Sequence, residues 1–535
     1  MQVLNVVKEN LFRDSIQLMK LTEDVKKLVG VDDAVVSMGT DTNRRLLEEL
    51  HLMDKQGEGA GDGDLVIAVR IAEGASAEEV MGRVEKMVMA PPAAQGGPRR
   101  RAFHSLEAAL ESLGGANLAV VSVPGRLAFE PSLELLKKGV SIHLFSDHVA
   151  KQEEIELKRF ASSKGLLVLG PGAGTSIIDG VGLGFANSVK RGDVGIVASA
   201  GTGIQEASIV LDRIGLGVSH ALGVGGTDVS EEVGGIMMKD CLKMLEADDA
   251  TRILMIIAKA PAESVFKDVM DYVSRNTTKP VVACFLGLAE APDLGERVTY
   301  AKTLHSAVAK AAEEGGGAAL REFRSKVSMS YGDLLESARS LSSRVGNRRY
   351  VRGLYSGGTM AHETLLIFRE LVGEPYSNTP LSHKFALADP NTSRGNSIVD
   401  LGDEFFTAGR AHPMIDPTLR RLRLAQESED PSVAAILLDI VLGYGSSPDP
   451  AGALQRTIED GRMAARKQGG ELVVMAHLCG TESDLQSLKE QSEKLTSAGA
   501  TLFPSNALMA ASAALLVGGD GAAANLKDKW GELLG

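Results

Sequence analysis

At 535 residues with 44% hydrophobic content, the chain is too long for a single core and carries enough apolar material for several domains. The formal net charge of −13 argues against a nucleic-acid partner or an anionic membrane surface, so an anionic ligand must be held by local groups such as helix ends. The three cysteines, Cys241, Cys284 and Cys479, form no C-x-x-C pair, which indicates a reducing compartment and predicts no metal site.

Residues 1–100 are predicted to form a small N-terminal α/β domain. Helical periodicity covers residues 11–28, 43–50 and 77–88, with Asp41 as the expected cap of the second helix, and residues 34–38 and 65–71 have the character of buried strands. The proline-, glycine- and arginine-rich residues 90–101 are typical of a linker. The N-terminus has no apolar signal core and no apolar run approaches about 18 residues, so we expect a cytoplasmic protein without a membrane span.

Residues 101–190 alternate between short apolar strands and helices, which predicts a Rossmann-like domain built on a parallel sheet. Ligands on such sheets bind beyond the carboxyl ends of the strands. One of those ends runs into Gly170-Pro171, and in the next domain another runs into Gly225-Gly226-Thr227. These five residues are therefore the predicted substrate-side loops.

A short motif occurs twice in the rest of the chain, once in each of two predicted flavodoxin-like domains at residues 191–320 and 345–535. The first copy is Ser199-Ala200-Gly201-Thr202 followed by Glu206, and the second is Ser356-Gly357-Gly358-Thr359 followed by Glu363. Each copy follows an apolar strand and opens a helix, where free N–H groups and the helix dipole favour an anion. The alternative is that each turn is an ordinary helix cap. Residues 311–320, rich in glycine and alanine, are predicted to link the two domains.

Few other side chains have the character of chemical groups. Arg410 could pair with a phosphate or carboxylate, and His412 could act as general acid or base with Asp416 as its partner. The alternative is that the His-Pro and Asp-Pro pairs of this segment only turn the chain. His362 is expected at the surface, and a set of other residues is expected in the core: His220, His477 and Cys479.

These motifs resemble the succinyl-CoA synthetase superfamily and, over most of the chain, its FdrA family. Residues 101–320 are similar to the α subunit through Gly170-Pro171, residues 195–202, residues 223–226 and Thr278-Lys279-Pro280-Val281-Val282. The last domain resembles the C-terminal domain of the β subunit. The FdrA resemblance also rests on Gly39-Thr40-Asp41-Thr42-Asn43 and on the fused order of the parts.

The resemblance implies that two opposed helix N-termini, those of the Ser199 and Ser356 turns, hold one phosphate, and that Glu206 orients the phosphohistidine of the superfamily. Two departures matter. Residues 295–302, where the phosphohistidine loop is expected, contain no histidine, and His305 beyond them lies in a helical run. The ATP-grasp domain is also absent, and the glycine loop that holds CoA has no clear counterpart before Phe103, so CoA is a weaker candidate ligand than phosphate.

By this resemblance the chain is expected to be one subunit of a hetero-oligomeric enzyme acting on a small anionic substrate. FdrA-like proteins imply carbamoyl transfer between oxalurate or oxamate and phosphate in allantoin breakdown, through a carbamoyl or acyl phosphate. Two alternatives stay open: a succinate–CoA ligase-type acyl-CoA synthetase subunit that needs an ATP-grasp partner, and a non-enzymatic scaffold that senses an anion.

Overall fold

The computed structural model describes residues 2–11, 13, 15–89, 103, 105–288, 297–408 and 410–534. It divides into two compact units. The smaller unit comprises Met1–Phe103 and Leu401–Leu419, and the larger unit comprises His104–Asp400 and Arg420–Gly535. The linker predicted at residues 90–101 lies outside the described residues.

The first segment of the smaller unit folds around a three-stranded antiparallel sheet. The strand order is β1–β3–β2, so the central strand pairs with both neighbours. Its elements are β1 (Gln2–Lys8), α1 (Ser15–Lys26), β2 (Val31–Met38), α2 (Asp41–Glu49), α3 (Lys55–Glu58), β3 (Leu65–Ile71) and α4 (Ala77–Met89). The sequence pattern did not predict β1, and Asp41 is not the cap of α2: the extended residue Thr40 is, and its hydroxyl accepts the Asn43 N–H at 3.4 Å.

The two faces of this sheet bury separate cores because side chains alternate along a strand. Leu65, Ile67 and Val69 of β3 pack in one cluster with residues of α1 and α4. Val66 and Ala68 point the other way, into a cluster that includes Leu47 of α2. The continuous apolar run of β3 is therefore explained by burial on both sides.

The larger unit begins with a three-stranded parallel sheet of order β4–β5–β6. Its elements are α5 (Leu106–Leu113), β4 (Leu118–Val121), α6 (Phe129–Lys137), β5 (Ser141–Leu144), α7 (Lys151–Lys164) and β6 (Val168–Leu169). This agrees with the predicted strand–helix alternation.

A seven-stranded sheet follows, with the order β13–β12–β11–β9–β10–β7–β8. Its strands are β7 (Thr175–Ile178), β8 (Val181–Gly184), β9 (Val194–Ala198), β10 (Val218–Gly223), β11 (Ile253–Lys259), β12 (Val281–Leu286) and β13 (Val298–Ala301). Its helices are α8 (Gly201–Arg213), α9 (Ile236–Ala247), α10 (Glu263–Asn276), α11 (Leu304–Glu314), α12 (Gly317–Lys326) and α13 (Tyr331–Ser342). The linker predicted at residues 311–320 is wrong, because the glycines there only separate α11 from α12.

The last sheet is parallel throughout, with the order β15–β14–β16–β17–β18. Its strands are β14 (Tyr350–Tyr355), β15 (Ser397–Asp400), β16 (Val433–Val441), β17 (Val473–Cys479) and β18 (Thr501–Phe503). The helices of this stretch are α14 (Gly358–Leu371), α15 (Glu404–Thr407), α16 (Thr418–Glu429), α17 (Pro450–Lys467), α18 (Leu488–Ser497) and α19 (Asn506–Leu533). Of these, α15 lies in the segment Leu401–Leu419 and so belongs to the smaller unit.

The two largest sheets repeat one topology. The five parallel strands of the third sheet, taken in chain order as 1 to 5, lie in the order 2-1-3-4-5, and the five strands of the last sheet do the same. This is the flavodoxin-like order, in which the loop after strand 1 opens at the point where the strand order reverses. The α/β class and the duplicated flavodoxin-like domains are therefore confirmed.

Among the residues that the structure describes, one helix is long and apolar enough to cross a bilayer, contrary to the expectation that none would be. This is α19, whose 18-residue window has a mean hydropathy of 1.5, and 67% of that window is buried inside the fold. The helix packs against α13 and α14. That burial is typical of the core helix of a large soluble domain.

Candidate functional site

The two Ser-x-Gly-Thr turns occupy equivalent places in the two flavodoxin-like domains. The first joins β9 to α8 and the second joins β14 to α14, so both follow strand 1 and both lie at the switch point of the strand order. A ligand crevice is expected at this point of such sheets. The local reason is a buried strand that ends in small residues, which let the chain turn sharply into the first turn of a helix.

The fold brings the two turns into direct contact. The Thr359 N–H donates to Thr202 Oγ1 at 3.1 Å, although 157 residues separate them. A methyl group placed on Gly203 would lie 3.2 Å from the Thr359 side chain, and one placed on Gly357 would lie 3.0 Å from the Thr202 side chain. The glycines of the motif thus allow the two helix N-termini to meet.

The first turn presents unused hydrogen-bond donors. Within the described residues, the N–H groups of Gly201, Thr202 and Gly203 donate to no protein acceptor, as is usual for the first turn of a helix. The Ser199 hydroxyl is buried and has no hydrogen-bond partner there either. A buried hydroxyl without a partner is costly, so this turn has the character of a site that a ligand completes.

The second turn is closed by a carboxylate of the protein. Asp439, near the carboxyl end of β16, accepts the Ser356 N–H at 2.8 Å and the Gly357 N–H at 2.7 Å. The Ser356 hydroxyl and Arg420 Nη2 also donate to Asp439, the latter at 2.6 Å. Burial raises the pKa of Asp439, and Arg420 and these amides oppose that shift. Four donors on two oxygens are the surroundings of an ionised carboxylate.

A second carboxylate lies against the start of α14. Asp400, at the end of β15, is 7% exposed, and a methyl group placed on Gly358 would lie 2.5 Å from its Oδ2. The backbone of Asp400 is fixed on both sides by Asn378, whose side chain accepts its N–H and donates to its carbonyl oxygen, each at 2.9 Å. A β-carbon at position 358 would therefore require the Asp400 side chain to shift.

The predicted substrate-side loops surround the first turn. A methyl group on Gly225 would lie 2.6 Å from the Pro171 carbonyl oxygen, and one on Gly170 would lie 2.2 Å from a backbone oxygen of β5, so these loops pack backbone against backbone. The Gly226 position approaches the Ser199 carbonyl oxygen, at 3.9 Å from an added methyl. The loops therefore form one wall beside the Ser199 turn.

Thr227 has a different position from the other loop residues. Its hydroxyl donates to both oxygens of Glu154, at 2.8 and 2.7 Å. Glu154 also accepts from the fully buried Lys158, which in addition contacts Asp228 at 2.9 Å. Thr227 thus belongs to a buried ionic network that fixes the loop, and its contribution to a ligand site would be through the backbone.

The glutamates of the two motifs are buried, and each contacts the other domain. Glu206 accepts from Asn506 N–H at 3.2 Å, at the start of α19, and Glu363 accepts from Leu304 N–H at 2.7 Å, at the start of α11. Each glutamate therefore supports the first turn of a helix of the opposite flavodoxin-like domain. Asn506 contacts both carboxylates: its backbone N–H donates to Glu206, and its side-chain Nδ2 donates to Glu363 at 2.7 Å.

These two carboxylates have opposite pKa shifts. Burial alone would raise the pKa of Glu206, but the His477 ring, 2.6 Å from Glu206 Oε2, outweighs it and holds the pKa below the ordinary value. Burial raises the pKa of Glu363 to about 7, and the nearby Glu206 carboxylate adds to that shift. At neutral pH Glu206 is therefore ionised, whereas Glu363 is close to the midpoint of its titration.

Arg410 and His412 lie in the smaller unit. The Arg410 Nε donates to Asn43 Oδ1, and the amide of Asn43 is oriented by its donation to Met38 O at 2.8 Å. The predicted partner Asp416 accepts from Thr418 N–H at 2.9 Å, at the start of α16. Burial lowers the pKa of His412 to about 4, and its Nδ1 accepts Met414 N–H at 3.3 Å. At neutral pH this ring is uncharged and its Nε2 carries the proton.

The other histidines differ in environment. His477 is fully buried, as predicted, and its Nδ1 contacts Phe503 O at 3.1 Å. His305 is 2% exposed in α11, and its Nδ1 bonds to Ser505 Oγ at 2.9 Å. The core position predicted for His220 is wrong, since this ring is half-buried and accepts Asp179 N–H at 3.1 Å. The surface position predicted for His362 is also wrong: burial lowers its pKa to about 4.

The segment where the phosphohistidine was expected is only partly described. Residues 295 and 296 lie outside the described residues, and Val298–Ala301 form the edge strand β13.

Cys479 is buried, as predicted, and burial raises the pKa of its thiol. Among the residues that the structure describes, no three histidine, cysteine, aspartate or glutamate side chains are grouped as a metal site would require.

Three family models match successive parts of the chain. Residues 1–102 match the AllF heavy metal-associated domain, residues 189–287 match the CoA binding domain, and residues 354–516 match the CoA-ligase model. The last two cover the two Ser-x-Gly-Thr turns, apart from part of the flanking strand of the second.

Known proteins are similar to the chain over the same domains. The chain is 38% identical to the uncharacterized protein YahF of Escherichia coli (strain K12) over 506 residues, which are 95% of this chain and 97% of YahF. It is 28% identical to the succinate–CoA ligase [ADP-forming] subunit alpha of Staphylococcus aureus (strain Mu50 / ATCC 700699), over 40% of this chain and 69% of that subunit. A dinucleotide-forming acetyl-coenzyme A synthetase 1 of Ca. Korarchaeum cryptofilum aligns with 82% of this chain and 89% of its own chain, at 18% identity and with a TM-score of 0.29. On its domain models and its full-length relative, the chain belongs to the FdrA family of the succinyl-CoA synthetase superfamily.

Proposed function

We propose that this chain is one subunit of an enzyme that transfers a carbamoyl or acyl group to and from phosphate. The specific reaction we propose is carbamoyl transfer between oxalurate and phosphate, giving carbamoyl phosphate and oxamate, in allantoin breakdown. The observation that carries the proposal is the first turn, where three amides and the Ser199 hydroxyl, all without a protein partner among the described residues, could donate to one anion. The match of residues 1–102 to an AllF domain supports the link to allantoin.

The reaction needs positioning and charge stabilisation more than it needs a covalent carrier. A phosphate oxygen attacks the ureido carbonyl carbon, the C–N bond to oxamate breaks, and the proton that phosphate loses is taken up by the departing nitrogen. Amides at a helix N-terminus lower the energy of the phosphate as its charge redistributes. In this reaction, Ser199, Gly201 and Thr202 hold the phosphate.

The second turn serves the same site as a support. Because Asp439 occupies the Ser356 and Gly357 amides and Thr202 occupies the Thr359 amide, this turn positions Thr202 and leaves the phosphate to the first turn. Glu206 has the same supporting role, since its carboxylate is held by His477 and Asn506.

Arg410 and His412 belong to the smaller unit, and we propose them as candidate groups for a carboxylate and a carbonyl oxygen, separately from the phosphate site of the larger unit. A guanidinium pairs with a carboxylate through two parallel hydrogen bonds. His412, uncharged at neutral pH with the proton on Nε2, would donate a hydrogen bond to a carbonyl oxygen and would not act as a strong acid, as low-pKa imidazoles do elsewhere. We propose a cytoplasmic hetero-oligomer in which partner subunits complete the reaction.

The test is an assay of carbamoyl phosphate formed from oxalurate and phosphate, with this chain alone and with the products of neighbouring genes. We expect turnover with the partners and loss of about a hundredfold in kcat/KM in Ser199→Ala, the scale of one lost transition-state donor. Absence of carbamoyl phosphate under every combination would contradict the proposal.

A second candidate has its own support. The similarity to a succinate–CoA ligase α subunit favours an acyl-CoA synthetase subunit that takes its ATP-grasp domain and histidine from partner chains. It predicts CoA- and ATP-dependent acyl phosphate formation with an ATP-grasp partner. If neither activity appears although phosphate raises the Tm, the remaining possibility is the anion-sensing scaffold.

A further inference from the structure

The long apolar helix α19 consists of two helices joined by a sharp reversal. Gly519 has non-helical backbone angles, φ 55° and ψ −138°, inside the 28 residues that α19 spans, and a straight helix of that length would be about 42 Å long. The Oγ of Ser505, which caps the start of α19, bonds to His305 Nδ1 at 2.9 Å. At the other end, Leu533 O accepts from Thr303 Oγ1 at 2.6 Å. Residues two apart span at most about 7 Å, so contacts to both Thr303 and His305 require α19 to fold back on itself at Gly519.

The two halves of α19 are buried to different extents. In the first half, residues 506–518, every position from Asn506 to Leu516 is buried. The second half, residues 520–533, is called the arm below, and its buried positions are Ala522, Ala523, Leu526 and Leu533. Segments with few buried apolar contacts open locally at a lower free-energy cost than the core does. The arm is therefore the half of α19 that opens more easily.

The arm joins helices that come from different parts of the larger unit. On α13, the Tyr331 hydroxyl donates to Ala523 O at 3.0 Å, and its ring meets the Trp530 ring edge to face with 5.6 Å between centroids. On α14 of the second flavodoxin-like domain, Leu371 O accepts from Asn525 Nδ2 at 3.0 Å. The end of the arm lies on α11 of the first flavodoxin-like domain. One short helix thus bridges the two domains.

The start of α11, which the arm reaches, is also the place where the first domain holds the glutamate of the second motif. Thr303 caps α11, since its hydroxyl accepts the Ser306 N–H at 3.0 Å while it donates to Leu533 O. The next residue, Leu304, donates its N–H to Glu363 at 2.7 Å. The arm, the start of α11 and Glu363 are therefore in consecutive contact.

From these contacts we infer that the arm is a clip that opens as a unit about Gly519 and, when closed, holds the start of α11 against Glu363. It is a conformational device that controls the joint between the two flavodoxin-like domains. The inference goes beyond the proposed function and does not depend on it, because every contact it uses is between parts of the protein.

Gly519 is suited to be the pivot of this movement. A methyl group placed there would meet no atom within 4 Å, so packing around this residue does not hold the reversal. Glycine adopts both positive φ and helical angles at little cost, whereas other residues are strained at positive φ. The closed position is therefore held by the contacts of the arm itself, and losing those contacts lets the backbone change at one residue.

Hydrogen exchange of the full chain, followed by mass spectrometry, measures the opening. In the wild type we expect the amides of the arm to exchange faster than those of residues 506–516. Leu526→Ala removes a fully buried side chain from the arm. It should raise exchange about thirtyfold in the arm and in residues 303–307, the scale of a buried leucine truncation, and leave residues 506–516 unchanged.

Leu508→Ala is the matched control, because Leu508 is an equally buried leucine in the first half of the same helix. It should raise exchange in residues 506–516 and leave the arm unchanged. Asn525→Ala opens no large cavity and removes only the donor to Leu371 O. It should raise exchange about fivefold in the same segments as Leu526→Ala, and it carries the test if that variant folds poorly.

Two results would overturn the inference. Equal exchange in the two halves of wild-type α19, or a uniform rise over all of α19 in both leucine variants, would show that the arm does not open as a unit. A rise in the arm without a rise in residues 303–307 would show that the arm opens without holding α11. Neither result bears on the phosphate site of the proposed function.

Discussion

The two Ser-x-Gly-Thr turns have nearly the same sequence and opposite states. In the described residues of the first turn, the Gly201, Thr202 and Gly203 amides and the Ser199 hydroxyl have no protein partner. In the second turn, Asp439 accepts from the Ser356 and Gly357 amides and from the Ser356 hydroxyl, and Thr202 accepts from the Thr359 amide. In the second turn, the negatively charged group at the backbone amides is therefore a side chain of the protein itself, Asp439. A repeated motif at equivalent places of a duplicated fold therefore does not imply a repeated ligand.

The difference lies in one strand. Asp439 sits in β16, the third strand of the second flavodoxin-like domain, at the side of the Ser356 turn. The equivalent strand of the first domain, β11, is apolar over its buried length and offers only the Ile257 carbonyl to the Ser199 N–H. One acid in an otherwise apolar strand therefore fills the hydrogen-bonding positions at the start of the second turn.

The largest effect is expected from removing that acid. Asp439→Ala leaves Arg420 as a buried charge without its carboxylate and leaves the Ser356 and Gly357 amides without acceptors. Breaking a buried ion pair in this way costs about 3–5 kcal/mol of unfolding free energy. Urea denaturation of the purified protein measures it.

Asp460→Ala is the matched control for this change. Asp460 belongs to the same domain and pairs with Arg456 at 3.0 Å, and the two side chains are 49% and 82% exposed. An exposed pair contributes at most about 1 kcal/mol. Equal losses in the two variants would mean that Asp439 does not close the second turn as described.

The next largest effect is a pH dependence of the unfolding free energy that arises from Glu363, the glutamate of the second motif. Because the folded-state pKa of Glu363 is raised to about 7, the native state holds its proton more tightly than the unfolded state does. The stability it contributes is fully present below the unfolded pKa and is lost as the pH rises towards 7. The loss is on the order of 3 kcal/mol if the whole shift is realised.

Glu363→Gln removes this pH dependence and keeps the hydrogen bond, since the neutral side chain still offers an oxygen to Leu304 N–H. We expect the difference in unfolding free energy between variant and wild type to increase in favour of the variant from pH 5 to pH 8. Glu206 has a lowered pKa, so its own titration falls at more acidic pH and does not produce this trend. A difference that is flat over this range would show that Glu363 is ionised in the native state throughout.

The sequence predicted the parts of this comparison that are local. A strand, a glycine turn and a helix start are neighbours along the chain, so both turns, the duplicated strand order and the loops at Gly170 and Gly225 could be identified. The linker at residues 311–320 was wrong because its glycines were weighed above the alanines around them, which are strong helix formers. The structure has helices on both sides of Gly315-Gly316.

What decides the state of each turn is remote in sequence. Asp439 lies 83 residues from Ser356, and Asn506 lies 300 residues from Glu206, so neither contact follows from periodicity. The signals were present but weak: a single acid within a nine-residue apolar strand, and an asparagine directly after a helix-capping serine. A buried acid has to be paired, so an acid within an apolar strand indicates that the fold places a donor beside it.

The contact between the turns gives a third prediction, of moderate size. Thr202→Val removes the hydroxyl that accepts Thr359 N–H, whereas Thr359→Val keeps the N–H and its acceptor. We expect about 1 kcal/mol lower stability for Thr202→Val, the usual contribution of one hydrogen bond, and little change for Thr359→Val. Urea denaturation of the two isosteric variants checks the difference, and the reverse order would place the bond elsewhere.

The smallest change in stability should come from substituting the two serines, and these two variants distinguish the first turn from the second most directly. Ser199→Ala removes a buried hydroxyl without a partner, so the stability of the unliganded protein should stay within about 0.5 kcal/mol. Ser356→Ala removes a donor to Asp439 at 3.1 Å and should cost about 1 kcal/mol. Added phosphate gives the opposite order, because a ligand raises the Tm only through the groups that bind it. Phosphate should protect Ser356→Ala as it protects the wild type and protect Ser199→Ala less, since the open turn binds the anion and the closed turn does not. If phosphate protects both variants equally, the unused donors of the first turn do not hold it.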